Sequence, residues 1–99
     1  MENIVAAYLI VDNVITDPRA YDEYRRQAVP LVARFGGRFL IRGGPISPLE
    51  GNWKPQRLVL IEFPSMDALQ AWYDSPEYAP LLALRQAAST GSVVAAGGV

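Results

Sequence analysis

The sequence predicts an α+β, ferredoxin-like protomer of order βαββαβ with one extra helical segment. Three observations predict it. Short β-rich apolar runs recur at residues 4–12, 38–43, 57–63 and 92–96. Helix-opening signals fall between them, at Asp17-Pro18, at Ser65 with Asp67 behind it, and at Ser75-Pro76. Glycine and proline punctuate the junctions at Gly36-Gly37, Gly43-Gly44-Pro45, Pro64 and Gly91. At 99 residues, the chain is read as a single domain spanning 1–99.

The elements follow in order. IVAAYLIVD (4–12) is the first strand, with Asp12-Asn13 expected to end it. Asp17 caps the first helix, on which Tyr21, Tyr24, Ala28, Leu31 and Phe35 form one apolar stripe at spacings of three and four. Pro30 lies inside that stripe, so a kink or a broken last turn is expected. Residues 38–43 and 57–63 are strands two and three, joined by a long loop that carries Glu50 and Trp53. Met66, Leu69, Trp72 and Tyr73 form the apolar side of the second helix. A third helix is expected from about Glu77, with Tyr78, Leu81, Leu82 and Arg85 on one face, then a helix stop at Gly91 and a last strand at 92–96.

Composition excludes several function classes. Apolar residues make up 51% and charged residues 19%, the net charge is −1, and no basic run exists, so no nucleic acid is expected as a partner. Without cysteine there are no disulfides, thiolate metal sites or Cys nucleophiles. Without histidine, the chain lacks the commonest general base and the usual metal and haem ligand, so no metal and no cofactor is expected. The opening MENIVAAYLIVD has no basic leader region, and its apolar run is too short to span a bilayer. No membrane association and a cytoplasmic location are the expectations.

Alternation divides each strand by face. Val5, Ala7, Leu9 and Val11, with Phe39, Ile41, Val59, Ile61 and Phe63, suit the side under the helices. Ile4, Tyr8, Ile10, Leu40, Leu58 and Leu60 fall on the other side, with Asp12, Arg38, Arg42 and Glu62 among them. Burying one such large apolar side chain is worth roughly 1.5–3 kcal/mol, so six on one sheet face call for a cover. A second copy packed by two-fold symmetry is the simplest one, and the expected partner is therefore a homodimer through the sheet faces. On adjacent strands Arg42 and Glu62 are expected as a cross-strand pair, either locking register and assembly or belonging to a site.

The phrases AAYLIVD (6–12), DPRAYDEY (17–24), GGRFLIRGG (36–44), the EGNW to LVLIEFPS stretch (50–65) and WYDSPEY (72–78) together resemble the DUF1330 family. The resemblance covers nearly the whole chain. It implies a dimeric α/β barrel, built from two ferredoxin-like protomers, and carries no settled activity. Relatives of that architecture include monooxygenases, isomerases, haem-degrading enzymes and stress-responsive proteins, and a chain without histidine cannot supply a haem with an axial His. The architecture also implies a pocket between sheet and helices.

That pocket directs attention to Tyr24, Trp72, Tyr73 and Tyr78, whose alternative is ordinary core packing, and to Arg85 as an anion anchor, whose alternative is a solvated helix-end residue. Trp53 is either a lid or a side chain packed over a sheet edge or the partner. Two functions remain open. One is a cofactor-independent enzyme or binder of a small organic anion, with Arg42 or Arg85 holding the anion, a tyrosine donating a hydrogen bond, and Glu62 as a catalytic general base of raised pKa. The other is a non-catalytic dimeric module in which the strand charges only fix assembly.

Overall fold

The computed structural model describes residues 5–99. In chain order the elements are β1 (Ala7–Ile15), α1 (Pro18–Arg34), β2 (Arg38–Arg42), β3 (Leu58–Phe63), α2 (Met66–Tyr73), α3 (Ala79–Ala88) and β4 (Ser89–Gly97). The strands pair antiparallel in one sheet ordered β2-β3-β1-β4. The helices lie on one face of it, where Ala7, Leu9, Val11, Val59, Ile61 and Phe63 meet Ala28, Leu31 and Val32 of α1, Leu69 and Trp72 of α2, and Leu81 of α3. The expected α+β, ferredoxin-like order is the one observed.

Local chemistry sets the helix starts as the sequence predicts. Asp17 Oδ1 accepts the Ala20 amide at 3.1 Å with Pro18 in the first turn, and Ser65 Oγ accepts the Ala68 amide at 3.0 Å. Each side chain satisfies an amide that the helix itself leaves unpaired. Several boundaries differ from expectation. α1 runs through Pro30 to Arg34 without breaking, because the exposed proline is followed by the buried Leu31 and Val32, and Val32 and Ala33 carbonyls close the last turn on the amides of Phe35 and Gly36. β1 does not stop at Asp12-Asn13 but continues to Ile15, paired with β4 down to Ser89. Ile4, expected on the open face, lies outside the described residues.

α3 begins at Ala79 rather than near Glu77, and it passes directly into β4. Ser89 Oγ donates to the Arg85 carbonyl at 2.8 Å and marks the switch. Gly91 is therefore not a helix stop. It sits inside β4 at φ +149, and a Cβ there would stand 2.0 Å from the Asp12 carbonyl oxygen, so only glycine allows β1 and β4 to approach this closely.

The largest correction concerns β2. Arg38 pairs with Glu62 and Phe39 with Ile61, but the next partners are Ile41 with Leu60 and Arg42 with Val59. Leu40 is the extra residue of a β-bulge. Past it the faces are exchanged: Ile41 points to the open face and Arg42 to the helix side, the reverse of simple alternation. The expected Arg42–Glu62 pair is thus replaced by Arg38–Glu62, with Arg38 Nε donating to Glu62 Oε1 at 2.7 Å.

The open face carries Tyr8, Ile10, Leu58, Leu60, Ile41 and Val94. Ile41 is 42% exposed and Val94 54%, with bulged Leu40 at 45% on the same edge strand. Trp53 reaches this face from the β2–β3 loop, donating its indole N–H to Asp12 Oδ2 at 2.7 Å while 61% of it stays exposed.

Candidate functional site

Between α1, α3 and the sheet lies a cavity of about 40 Å³, room for a few water molecules. Its apolar wall is Leu9, Val11, Val59, Ile61 and Val93 from the sheet and Ala28, Val29 and Val32 from α1. The polar residues on it are Tyr21, Tyr24, Tyr73 and Tyr78 together with Arg25, Arg42, Arg57 and Arg85, and among the described residues no carboxylate lines it. A wider groove of about 730 Å³ adjoins the cavity, sharing Arg25, Val29, Arg42 and Arg57 with it. Arg26 and Asp22 add one charge of each sign, so the mouth is strongly cationic.

At the mouth, Asn13 and Tyr21 are buried to 2% and 4% exposure. Asn13 Nδ2 donates to the Tyr21 hydroxyl at 3.1 Å, and Arg57 Nη1 donates to both Asn13 Oδ1 and the Tyr21 hydroxyl at 3.2 Å. The guanidiniums of Arg25 and Arg57 also lie 5.4 and 5.1 Å from the centre of the Tyr21 ring, cations on the negative face of a π-system. Arg42 lies over Phe39 at 4.9 Å, a contact that the bulge makes possible by putting both on the helix side. Among the described residues neither Arg42 nor Arg57 has a carboxylate within ion-pair distance, whereas Arg25 pairs with Asp22 and Arg26 with Glu23.

Deeper in the cavity, the Tyr24 and Tyr78 hydroxyls are 2.9 Å apart, and Arg85 Nε donates to the Tyr78 hydroxyl at 3.3 Å. Burial, and then the neighbouring Tyr78, pushes the Tyr24 phenol well above its ordinary range, so it stays protonated. Burial works against the charge on Arg85, but Tyr78, Tyr24 and Tyr73 together outweigh it and raise its pKa further. The site can therefore donate hydrogen bonds and stabilise negative charge, and among the described residues its lining offers no carboxylate or imidazole to take a proton.

The structure brings Tyr24, Tyr73, Tyr78, Arg42 and Arg85 onto one cavity. Trp72 is not on its wall; it is 1% exposed, packed 4.3 Å from Tyr78 and 5.4 Å from Phe63 by ring centres, with its indole N–H unpaired. Glu62 is elsewhere altogether. It faces the open side, accepts from Arg38 and from the Tyr8 hydroxyl at 3.0 Å, and is held below the usual carboxylate range by those two hydrogen bonds, Arg38 first. The raised pKa expected of a general base is thereby overturned, and the hydrogen bond to Glu62 raises Tyr8 instead.

Residues missed from the sequence are Asn13, Tyr21, Arg25 and Arg57. The alternation that buries 7, 9 and 11 also buries Asn13, and the one that buries 59, 61 and 63 carries Arg57 inward, so both were available to a stricter reading. Among the described residues no group of three or more His, Cys, Asp or Glu is disposed to hold a metal ion, and no helix is long and apolar enough to cross a membrane.

Sheet order and helix placement define the protomer as an α+β, ferredoxin-like one, similar in fold to an oxygenase and an antibiotic biosynthesis monooxygenase of known structure. Residues 6–99 match the family described as Domain of unknown function (DUF1330), and the chain belongs to that family. No curated protein matches it. Among solved structures, it is similar to the RPA0582 protein of unknown function from Rhodopseudomonas palustris, at 20% identity and a TM-score of 0.78 over 98% of this chain and 85% of that one. SnoaB, a cofactor-independent oxygenase from Streptomyces nogalater, has 16% identity and a TM-score of 0.69 over 96% and 94%. A candidate antibiotic biosynthesis monooxygenase from Nitrosomonas europaea has 12% identity and a TM-score of 0.55 over 100% and 95%. At these identities the likeness concerns the fold.

Proposed function

We propose that the cleft binds a compact organic anion and that the chain acts on it, or carries it, without a bound cofactor. The observation that carries this reading is the pair Arg42 and Arg57, two guanidiniums at the mouth of one apolar cavity with no carboxylate partner among the described residues. An uncompensated cation facing an apolar cleft is stabilised by an incoming anion, and the planar fork of Arg suits a carboxylate. With no carboxylate or imidazole on the cavity wall among the described residues, a substrate that itself ionises readily suits this site, and the Tyr78 hydroxyl and Arg85 stabilise the resulting oxyanion. The cofactor-independent oxygenase with the same fold supports chemistry of that kind.

The functional unit in this reading is a homodimer closed through the open sheet faces. The exposed apolar residues there support it, as does the Arg38–Glu62–Tyr8 network, whose role is then to fix register and assembly. Thermal-shift titration with a panel of small carboxylates tests the site: wild type is stabilised by at least one of them, and Arg57→Gln or Arg42→Gln loses the effect. Identical behaviour of wild type and both variants would refute it. Light scattering tests the assembly, and a monomer at micromolar concentration would remove the dimer.

A further inference from the structure

Arg85 poses a separate question. It belongs to α3, lines the cavity but not the outer groove, and is half-buried. Its hydrogen bond among the described residues is the one from Nε to the Tyr78 hydroxyl, and no carboxylate lies within ion-pair distance. Among the described residues the Nη atoms of the fork thus have no acceptor. Arg42 and Arg57 line both the cavity and the groove. Guanidiniums without a carboxylate partner among the described residues therefore line both the mouth shared with the groove and the part of the cavity away from it, and the same wall carries Leu9, Val11, Val59 and Ile61.

Resting on the anion-binding reading above, we propose that the ligand class is a short aliphatic dicarboxylate, one carboxylate on Arg42 and Arg57 and the other on Arg85. A monoacid satisfies the mouth but leaves a half-buried cation without a counter-charge, an arrangement that costs free energy. A second carboxylate removes that cost and gains charge-assisted hydrogen bonds from the Arg85 fork and from the Tyr24–Tyr78 hydroxyl pair beside it. The apolar residues on the same wall suit methylene groups and disfavour phosphate or sulfate, which have no apolar body to set against them. The small cavity favours a thin chain over an aromatic ring.

The experiment is isothermal titration of the full chain, at constant ionic strength, with butyrate, succinate, glutarate and adipate. At least one diacid is expected to bind ~10-fold or more tightly than butyrate, a difference of about 1.4 kcal/mol. Arg85→Gln is expected to abolish the preference for that diacid over butyrate, and Arg57→Gln to weaken both. If butyrate and every diacid bind alike, or if Arg85→Gln keeps the preference, the dicarboxylate is overturned and the anion site stands. If none of the four binds, the anion-binding reading falls and this inference with it. Should Arg85→Gln fail to fold, the wild-type series decides alone, with Arg85→Lys as the variant that keeps the charge but not the fork.

Discussion

Arg38 and Arg42 stand four residues apart on one short strand and do opposite things. Arg38 is tied to Glu62 on the open face, a charge already neutralised by the protein's own carboxylate. Arg42 lies over Phe39 on the helix side, at the mouth of a cleft whose wall has no carboxylate among the described residues. What separates them is the one residue inserted at Leu40. The two faces of the sheet differ in the same way. The open face pairs Arg38 with Glu62 and leaves apolar surface exposed, whereas the helix face buries its apolar surface and leaves Arg42 and Arg57 without a carboxylate partner among the described residues. A charge on a strand is thus informative only once its face and its counter-charge are both known.

The contrast can be attacked where it is strongest. Trp72→Ala empties the centre of the helix-side core and is expected to cost about 3–5 kcal/mol in chemical denaturation, the range for a large aromatic lost from a packed interior. A loss under 1 kcal/mol would mean that this core is not what holds the protomer. Leu60→Asp on the open face is expected to leave the protomer folded but abolish the concentration dependence of its melting temperature; the apolar burial lost is about 2 kcal/mol per protomer. An unchanged sedimentation profile would show that this face is not the seam.

Smaller effects sharpen the division. Tyr21→Phe removes the acceptor shared by Asn13 and Arg57 and is expected to cost about 1–3 kcal/mol in stability, with weaker anion binding because Arg57 loses its anchor. Deletion of Leu40 keeps Ile41 on the open face and Arg42 on the helix face, since it removes only the extra residue, and anion affinity is expected to stay within about threefold. A complete loss would place the origin of Arg42's orientation elsewhere. Glu62→Gln acts through pH. The folded-state pKa of Glu62 is depressed, so its contribution is fully present above the unfolded-state value and disappears as pH falls through the folded one. Wild type and variant are therefore expected to differ at neutral pH and to converge in acid unfolding; a constant gap down to the lowest pH would contradict the Arg38 and Tyr8 bonds.

Much of this was legible from residue order. The caps at Asp17 and Ser65 work as read, and the inward sets of β1 and β3 are the observed core, because period-two burial follows directly from strand geometry. The bulge was not legible. Phe39, Leu40 and Ile41 are all good strand formers, with no glycine to announce an irregularity, and the register is set by tertiary pairing with β3. Asn13 was misread for a related reason: its usual preference for turns is overridden when Tyr21 and Arg57 satisfy its amide inside the fold. Tyr24, Tyr78 and Arg85 came into view through the pocket that the family resemblance implies, helical spacing adding only that Tyr78 and Arg85 share a face.

The two tryptophans of the chain fall one to each side of this division. Trp72 is sealed among Phe63, Tyr73 and Tyr78, while Trp53 is pinned to Asp12 by its indole nitrogen with most of its ring in solvent. The molecule consequently carries two intrinsic fluorophores in different surroundings, a buried one whose emission is expected to report unfolding and an exposed one expected to report whatever settles on the open sheet. With Trp53→Phe and Trp72→Phe as single-tryptophan versions, assembly and denaturation become separable optical signals in unlabelled protein.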